Sequence, residues 1–317
     1  MNILTDLIYF SFIAEEERRL LRSLYEAEPA IFLHHLNMSL DIEFQNKVLD
    51  SLDLPGYKRP LSDQNTLYQI LTEVATYLHT NLTDDGRHYW LSRGVTFEQL
   101  AQFKLGDNGC WLKYGAQSFF KALLGKYSTS LVDQVYVSLQ EQINTASRLF
   151  GDGHAVCCPT FDAIGLCRGL VYRNLHYVPN PTSLKNMFKF YNPCSWSYLF
   201  NFETVEKYDE FYLVEGVFDA LALQRAGYPN VISPSMVKLS EYHCSVLRGK
   251  KLHVIFDGDN GGLYGLRFIK DHLDEANLLT LALCPTTKDI DELSEVELSI
   301  FMKNLPNYDV RKVLKSR

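Results

Sequence analysis

The chain has 317 residues, of which 31 are basic and 38 are acidic, so its formal net charge is −7. That length predicts about two domains, and the 46% of hydrophobic residues excludes a disordered chain. The acidic balance excludes a coat for nucleic acid but allows a local basic groove. The sequence contains no apolar run of about 18 residues and no recognisable secretory signal, so we expect a cytoplasmic protein without a membrane partner.

The first 80 residues have the apolar spacing of helices, interrupted near residue 60 by the polar, proline-containing stretch DLPGYKRPLSDQN. Further along, WLSRGVTFEQL predicts a helix, a turn at Gly94 and a second helix capped by Thr96. From Gly151 to about Tyr191, short apolar runs separated by turn residues predict antiparallel strands. From Phe211 onward, strands alternate with helices, which predicts a parallel sheet with helices on its faces.

The seven cysteines are scattered and form no CxxC pair, so the sequence predicts neither a zinc ribbon nor a redox motif. His154 stands near Cys157 and Cys158 in HAVCCP, which makes a metal site conceivable. However, adjacent side chains on a strand point to opposite faces and suit one metal poorly. We therefore expect buried thiols, no disulfides and no zinc.

Carboxylates follow three strands of the predicted parallel sheet, at the ends where such sheets bind ligands. They are Glu215 after the first strand, with Asp219 one helical turn beyond it, Asp257 and Asp259 in DGDNGG after the third, and Asp289 and Asp291 in KDIDEL after the fourth. So many carboxylates would repel one another unless a cation lies among them, and oxygen ligands suit Mg²⁺ or Mn²⁺. Taken alone, DGD is equally explained as a solvated turn that ends a strand.

Over roughly residues 210–295, VEG with Asp219, then DGDNGG, then KDIDEL resembles the TOPRIM domain of topoisomerases, DnaG-type primases and certain nucleases. The resemblance implies that Glu215 is a base or metal ligand, supported by Asp219, and that Asp257 and Asp259 bind metal. Asp289 and Asp291 are expected to help hold two or more divalent ions.

Four upstream phrases resemble successive segments of DnaG-type primases in the right order. They are YWLSRGVTFEQLAQFKLGDN, VCCPTFDAIGLCRGLVYR, MFKFYNP and SYLFNF. The resemblance implies that Arg173 and Lys189 face nucleotide or template across the metal site, whereas the alternative is a solvated surface cation. Two departures matter: residues 1–60 contain no cysteine for the family's zinc ribbon, and the hairpin between Asp162 and Gly165 lacks the family's arginines. We therefore expect a divergent, phage-type member that would act in a bacterial host.

The expected fold class is α/β with an α+β part. A helical segment over 1–60 precedes a mixed helical and antiparallel subdomain over 61–205, a TOPRIM metal-binding domain over 206–300 and a tail over 301–317. The implied function is template-directed synthesis of short RNA primers on single-stranded DNA from ribonucleoside triphosphates. No P-loop occurs in the sequence, so we expect the helicase partner to be a separate chain. The alternatives are a metal-dependent TOPRIM nuclease and a replisome subunit that is active only with its helicase.

Overall fold

The computed structural model of the protein describes residues 15–38, 42–177, 188–191, 199–204, 207–235, 239, 241–285 and 288–311. Within these ranges, no helix is both long enough and apolar enough to cross a membrane. The described residues form an N-terminal group of helices, a helical subdomain with an antiparallel sheet, and a domain with a parallel sheet. The predicted mixed α/β class is therefore confirmed.

Three short helices form the N-terminal group: α1 (Glu15–Ala27), α2 (Pro29–Met38) and α3 (Ile42–Ser51). Their small apolar core includes Leu21, Phe32, Leu36 and Val48, all nearly inaccessible to solvent. At the start of α3, Ile42 belongs instead to the core of the next subdomain, so the group is anchored to the main body. The helical character predicted for this segment holds for its described part, and residues 1–14 lie outside the description.

The second subdomain contains six helices and a four-stranded antiparallel sheet ordered β1-β2-β3-β4, and helices pack on both faces of that sheet. Its helices are α4 (Ser62–Thr80), α5 (Asp84–Ser92), α6 (Phe97–Gln102), α7 (Gly109–Tyr114), α8 (Gln117–Leu123) and α9 (Thr129–Leu149). Its strands are β1 (Gly106–Asp107), β2 (Ala155–Phe161), β3 (Cys167–Asn174) and β4 (Phe190–Tyr191). The predicted antiparallel pair is the β2–β3 hairpin, whose turn is held by backbone N–H groups of Ile164 and Leu166 donating to Asp162 Oδ1.

The strand geometry separates the two adjacent cysteines, as predicted. Cys157 faces the core formed with α4, α7, α8 and α9, whereas Cys158 faces the core on the other side of the sheet, which includes α5 and α6, so the two thiols cannot share one ligand. His154, just before β2, lies near Asp107 instead, with 3.9 Å between Nε2 and Oδ1. That distance is too long for a hydrogen bond, so the two groups form an ion pair only when the imidazole is protonated.

The third unit is a parallel sheet ordered β6-β5-β7-β8 and flanked by helices. Its strands are β5 (Glu210–Val214), β6 (Val231–Ile232), β7 (Lys251–Phe256) and β8 (Leu278–Leu283), and its helices are α10 (Val217–Arg225), α11 (Glu241–Leu247), α12 (Asn260–His272) and α13 (Glu295–Lys303). The central strands are apolar because both faces are covered. The strand predicted in NVISPS has two residues in β6, and the next residue, Ser233, pairs with Phe200 in an antiparallel bridge.

The two sheets share a buried core, which fixes one subdomain against the other. Val156, Cys158 and Val171 on the antiparallel sheet belong to the same apolar cluster as Phe218 and Leu221 on α10. Polar contacts reinforce this interface: Gln99 Nε2 donates to the Leu221 carbonyl oxygen at 2.8 Å, and an Arg225 Nη donates to the Gly94 carbonyl oxygen at 2.6 Å. The interface brings the end of the β3–β4 pair next to the parallel sheet.

The boundary predicted at residue 300 falls inside α13. Beyond that helix, the chain returns to the edge of the sheet, where the Val310 backbone N–H donates to the Leu281 carbonyl oxygen at 2.8 Å. Arg311 also donates to the carbonyl oxygens of Leu278 and Leu279. The described part of the predicted tail therefore packs against the edge strand β8, and residues 312–317 lie outside the description.

Candidate active site

The turn after β5 places Glu215 at the carboxyl edge of the sheet and buries Asp219 beneath it. Glu215 follows the last residue of β5, and Gly216 begins α10. Asp219 Oδ2 accepts from the Gly216 backbone N–H at 3.0 Å, and its Oδ1 accepts from the Asp291 backbone N–H at 3.2 Å. Both oxygens of the Asp219 carboxyl thus bind backbone, so this side chain orients two loops of the edge.

The turn after β7 places Asp257 next to Glu215 and uses Asp259 to begin α12. Asp259 Oδ1 accepts from the Gly262 backbone N–H at 2.8 Å, which caps the helix. A Cβ on Gly262 would lie 2.1 Å from the Asp257 carbonyl oxygen, so the close turn requires glycine there. Asp257 is partly buried, whereas Asp259 is exposed.

The clustered carboxyls disfavour one another's ionisation. Burial, followed by the charges of Asp259 and Asp289, raises the pKa of Glu215 to about 7. Burial and the charge of Glu215 raise the pKa of Asp257 to about 7 as well. Burial also raises the pKa of Asp219 well above its usual range, with the charge of Asp291 as the next cause. At this partly desolvated edge, ionised carboxylates therefore repel one another.

The loop after β8 contributes Asp289 and Asp291 in different surroundings. Asp289 Oδ2 accepts from Lys189 Nζ at 2.7 Å, and the Asp289 side chain is 26% exposed. Asp291 Oδ2 pairs with the Arg93 guanidinium, and the Asp291 side chain is 4% exposed. Asp289 thus joins the acidic edge, while the Asp291 carboxylate is neutralised by Arg93.

Lys189 is the cation that faces the acidic edge. Besides its contact with Asp289, its positive charge lowers the pKa of both Glu215 and Asp257, so the ammonium lies within electrostatic reach of the cluster. Its strand neighbour Phe190 pairs with Arg173 across β3 and β4. Lys189 therefore lies across from the acidic edge, and its predicted contact with nucleotide or template stays a prediction.

Arg173 lies near the predicted place but under other side chains. It is 5% exposed, and its Nε donates to the Tyr89 hydroxyl oxygen at 2.9 Å. Its guanidinium carbon lies 4.5 Å from the ring centroid of Phe190 and 5.2 Å from that of Phe218. In this structure Arg173 is thus a buried cation held by aromatic rings, and its predicted contact with nucleotide or template remains a prediction.

Sequence reasoning did not identify Arg93 or Phe190 as residues of this region. Arg93 reaches Asp291 across 198 positions of sequence, a contact that depends on the packing of two subdomains. Phe190 gives a weak signal, since it lies beside Lys189 in the FKF triplet of MFKFYNP. Residues 178–187 and 192–198 around that triplet lie outside the description.

The carboxylates at the edge fit a hard divalent cation. Glu215 Oε2 and Asp257 Oδ1 are buried without a hydrogen-bond partner, and carboxylate oxygens are the ligands that Mg²⁺ and Mn²⁺ prefer. In the ranges that the structure describes, no three His, Cys, Asp or Glu side chains are already arranged as a closed metal-binding group. The fit therefore rests on the donor chemistry and on the two unpaired oxygens.

Comparison with known proteins places this edge in a recognised domain. Residues 212–294 match the protein-family model described as Toprim-like. The chain is 34% identical over 103 residues to the DNA primase DnaG of Ignicoccus hospitalis, a match that covers 32% of this chain and 23% of that protein. It is 25% identical over 227 residues to the DNA primase of Campylobacter jejuni, covering 68% of this chain and 36% of that protein. These matches thus span about a quarter to a third of the length of each curated relative.

The structural similarity extends well beyond the TOPRIM part. The RNA polymerase domain of Mycobacterium tuberculosis primase DnaG, solved in complex with a double-stranded DNA oligomer with a 6-nucleotide overhang, superposes with a TM-score of 0.53. The sequence identity is 18%, and the superposition covers 75% of this chain and 79% of that one. The chain therefore contains a Toprim-like domain within the fold of a DnaG-type primase catalytic core.

Proposed function

We propose that this chain is the catalytic core of a DNA primase, which joins ribonucleoside triphosphates into short RNA primers on a single-stranded DNA template. The observation that carries the proposal is the meeting of Glu215, Asp257 and Asp289 with Lys189 at the edge of a Toprim-like sheet. An acidic edge opposed by a cation gives a slot for metal-bound phosphates. The DNA bound by the M. tuberculosis domain of the same fold supports a DNA template for this chain.

In this proposal Glu215, Asp257 and Asp259 hold Mg²⁺ or Mn²⁺, and Asp289 completes the acidic edge. When bound, such ions neutralise phosphate charge and lower the pKa of an attacking hydroxyl. Lys189 exchanges its contact with Asp289 for a phosphate oxygen of the nucleotide or template. Asp219 keeps the two loops in register through its backbone contacts, and Glu215 accepts a proton or binds the ion. A ligand role for Asp291 stays a prediction, because its carboxylate pairs with Arg93.

Primer synthesis by the purified protein tests the proposal. The assay combines varied single-stranded DNA templates, labelled ribonucleotides and Mg²⁺ or Mn²⁺. The test variant is Asp257→Asn, and the matched control is Asp271→Asn, an exposed position about 18 Å along α12 from Asp259. Short labelled oligomers that require template and are lost with Asp257→Asn, but not with Asp271→Asn, support the primase.

Two other outcomes separate the rival functions. Metal-dependent degradation of the template without synthesis would replace the primase with a TOPRIM nuclease. Synthesis that begins only after a replicative helicase is added would support a subunit that works with a separate helicase chain, which we propose as its partner.

A further inference from the structure

Aromatic side chains surround the Arg173 guanidinium beside the acidic edge. We call Tyr89, Trp90, Arg173, Phe190 and Phe218 the Arg173 cluster. Trp90 and Phe218 are buried and stack with 5.2 Å between ring centroids and 20° between ring planes. Phe190 lies at the outside of the cluster and is 37% exposed. In this cluster the Phe190 ring is therefore exposed to solvent and rests on side chains that are mostly buried.

The contacts beneath Phe190 hold this ring in place. The Arg173 guanidinium contacts the Phe190 ring and is itself fixed by the Tyr89 hydroxyl and the Phe218 ring. The Phe190 backbone is also fixed, since it pairs with Arg173 across β3 and β4. A ring positioned in this way loses little conformational entropy when a flat partner stacks on it.

The exposed ring lies directly beside the cation of the acidic edge. Lys189 Nζ is 5.9 Å from the Phe190 ring centroid and 2.7 Å from Asp289 Oδ2. On the other side of Lys189 in sequence, Phe188 is 43% exposed. Exposed aromatic rings interleaved with cations are the means by which proteins bind single-stranded nucleic acid, since bases stack on the rings while cations hold phosphates.

We propose that Phe190 is a stacking platform for a nucleobase whose phosphate binds Lys189. The base belongs either to the single-stranded template or to a ribonucleoside triphosphate, which share this chemistry. The inference rests on the proposed function and adds to it the residue that positions the base. Because every base has a flat π face, this contact should bind all four bases similarly.

Fluorescence of 2-aminopurine tests the proposal, because stacking quenches this base analogue. One arm titrates the protein with single-stranded DNA that contains one 2-aminopurine, and another with 2-aminopurine ribonucleoside triphosphate, both with Ca²⁺ in place of Mg²⁺. A third arm measures binding of an abasic oligonucleotide of equal length, labelled at its end. The variants are Phe190→Leu, which keeps an apolar side chain over Arg173, and Phe190→Trp, which keeps an aromatic face.

The matched control is Tyr114→Leu. Tyr114 is 72% exposed at the end of α7, a helix on the other face of the antiparallel sheet. The Tyr114→Leu substitution therefore removes an exposed aromatic ring of similar size far from the acidic edge.

Phe190→Leu should abolish the quenching and weaken binding of the base-containing ligand about tenfold, the effect of losing one base–aromatic stack. Phe190→Trp and Tyr114→Leu should stay within about twofold of the unchanged protein, and binding of the abasic oligonucleotide should not change. Loss in the DNA arm identifies a template base, and loss in the triphosphate arm identifies the incoming nucleotide. Quenching that survives Phe190→Leu, or equal weakening of abasic and base-containing DNA, overturns the proposal.

The two proposals fail separately. If the protein synthesises oligomers on a template but the quenching is unchanged in Phe190→Leu, the primase proposal holds and the proposed stacking at Phe190 is wrong. If the quenching depends on Phe190 but the protein makes no oligomer, the nucleobase site is supported and the primase proposal is wrong.

Discussion

At the scale of single residues, the acidic edge is distinguished by two carboxyl oxygens without hydrogen-bond partners. Glu215 Oε2 and Asp257 Oδ1 are buried without hydrogen-bond partners, and the pKa of each carboxyl is raised to about 7. A folded-state pKa above the unfolded value means that the folded protein binds more protons. Stability therefore falls as the pH rises from about 4 to about 7, and the repulsion is fully present above that range.

Asp257→Asn should accordingly stabilise the protein when no divalent ion is present. We expect a gain of roughly 1–2 kcal/mol at pH 8 and much less at pH 4, after allowance for solvent screening of a partly exposed group. Thermal unfolding in EDTA at both pH values measures the difference. Adding Mn²⁺ should stabilise the unchanged protein and have little effect on the variant. An equal gain at both pH values would show that like-charge repulsion is not the cause.

Gly262 fixes the turn that carries Asp257 and Asp259. Gly262→Ala should cost about 1–3 kcal/mol or displace the turn, because the added methyl group would overlap the Asp257 carbonyl oxygen. Gly261→Ala is the matched control, since its Cβ would lie 3.2 Å from Asp259 Oδ1, a contact that a shift of a few tenths of an ångström relieves. Chemical denaturation compares the two variants. Equal stabilities would contradict the tight turn.

At the scale of secondary-structure elements, Arg93 ties the end of α5 to the loop after β8. Its guanidinium pairs with the buried Asp291 carboxylate, and the Asp291 backbone N–H donates to Asp219. The same guanidinium lies 5.6 Å from the Phe218 ring centroid. One arginine from the helical subdomain thus supports the loop that carries Asp289.

Arg93→Met should destabilise the protein by about 3–5 kcal/mol, because it leaves a buried carboxylate without its partner. Asp291→Asn in the same background should recover part of that loss, and urea denaturation of the double-mutant cycle measures the coupling. Strictly additive effects would mean that the Arg93–Asp291 pair does not support the loop.

Local sequence patterns predicted the elements of the site but not the contacts between them. The apolar runs before Glu215 and Asp257 showed that these residues follow strands, and Thr96 predicted the capped helix that the structure contains. The pairing of Arg93 with Asp291 arises between subdomains, so no local pattern records it. For the same reason, the sequence placed Arg173 near the site without showing that aromatic rings cover it.

At the scale of the whole molecule, the candidate site is built by two sheets that share one core. The loops of the parallel sheet supply the carboxylates, and the β3–β4 pair supplies Arg173 and Phe190, with Lys189 immediately before β4. The alternation of strands and helices predicted the parallel sheet, while its short strand β6 and the packing of residues 304–311 on β8 depend on tertiary contacts. Those contacts join residues that are distant in sequence, which periodicity does not reveal.

The central claim is that the acidic edge performs nucleotidyl transfer directed by a template. The most direct test is synthesis on single-stranded DNA of defined sequence with one ribonucleotide omitted. We predict labelled RNA that ends immediately before the first template position requiring the missing nucleotide, and that lengthens when the nucleotide is restored. Asp257→Asn should reduce the product to background, and Asp271→Asn should leave it unchanged. Products whose length does not change when a nucleotide is omitted, or products that persist in Asp257→Asn, would contradict the account.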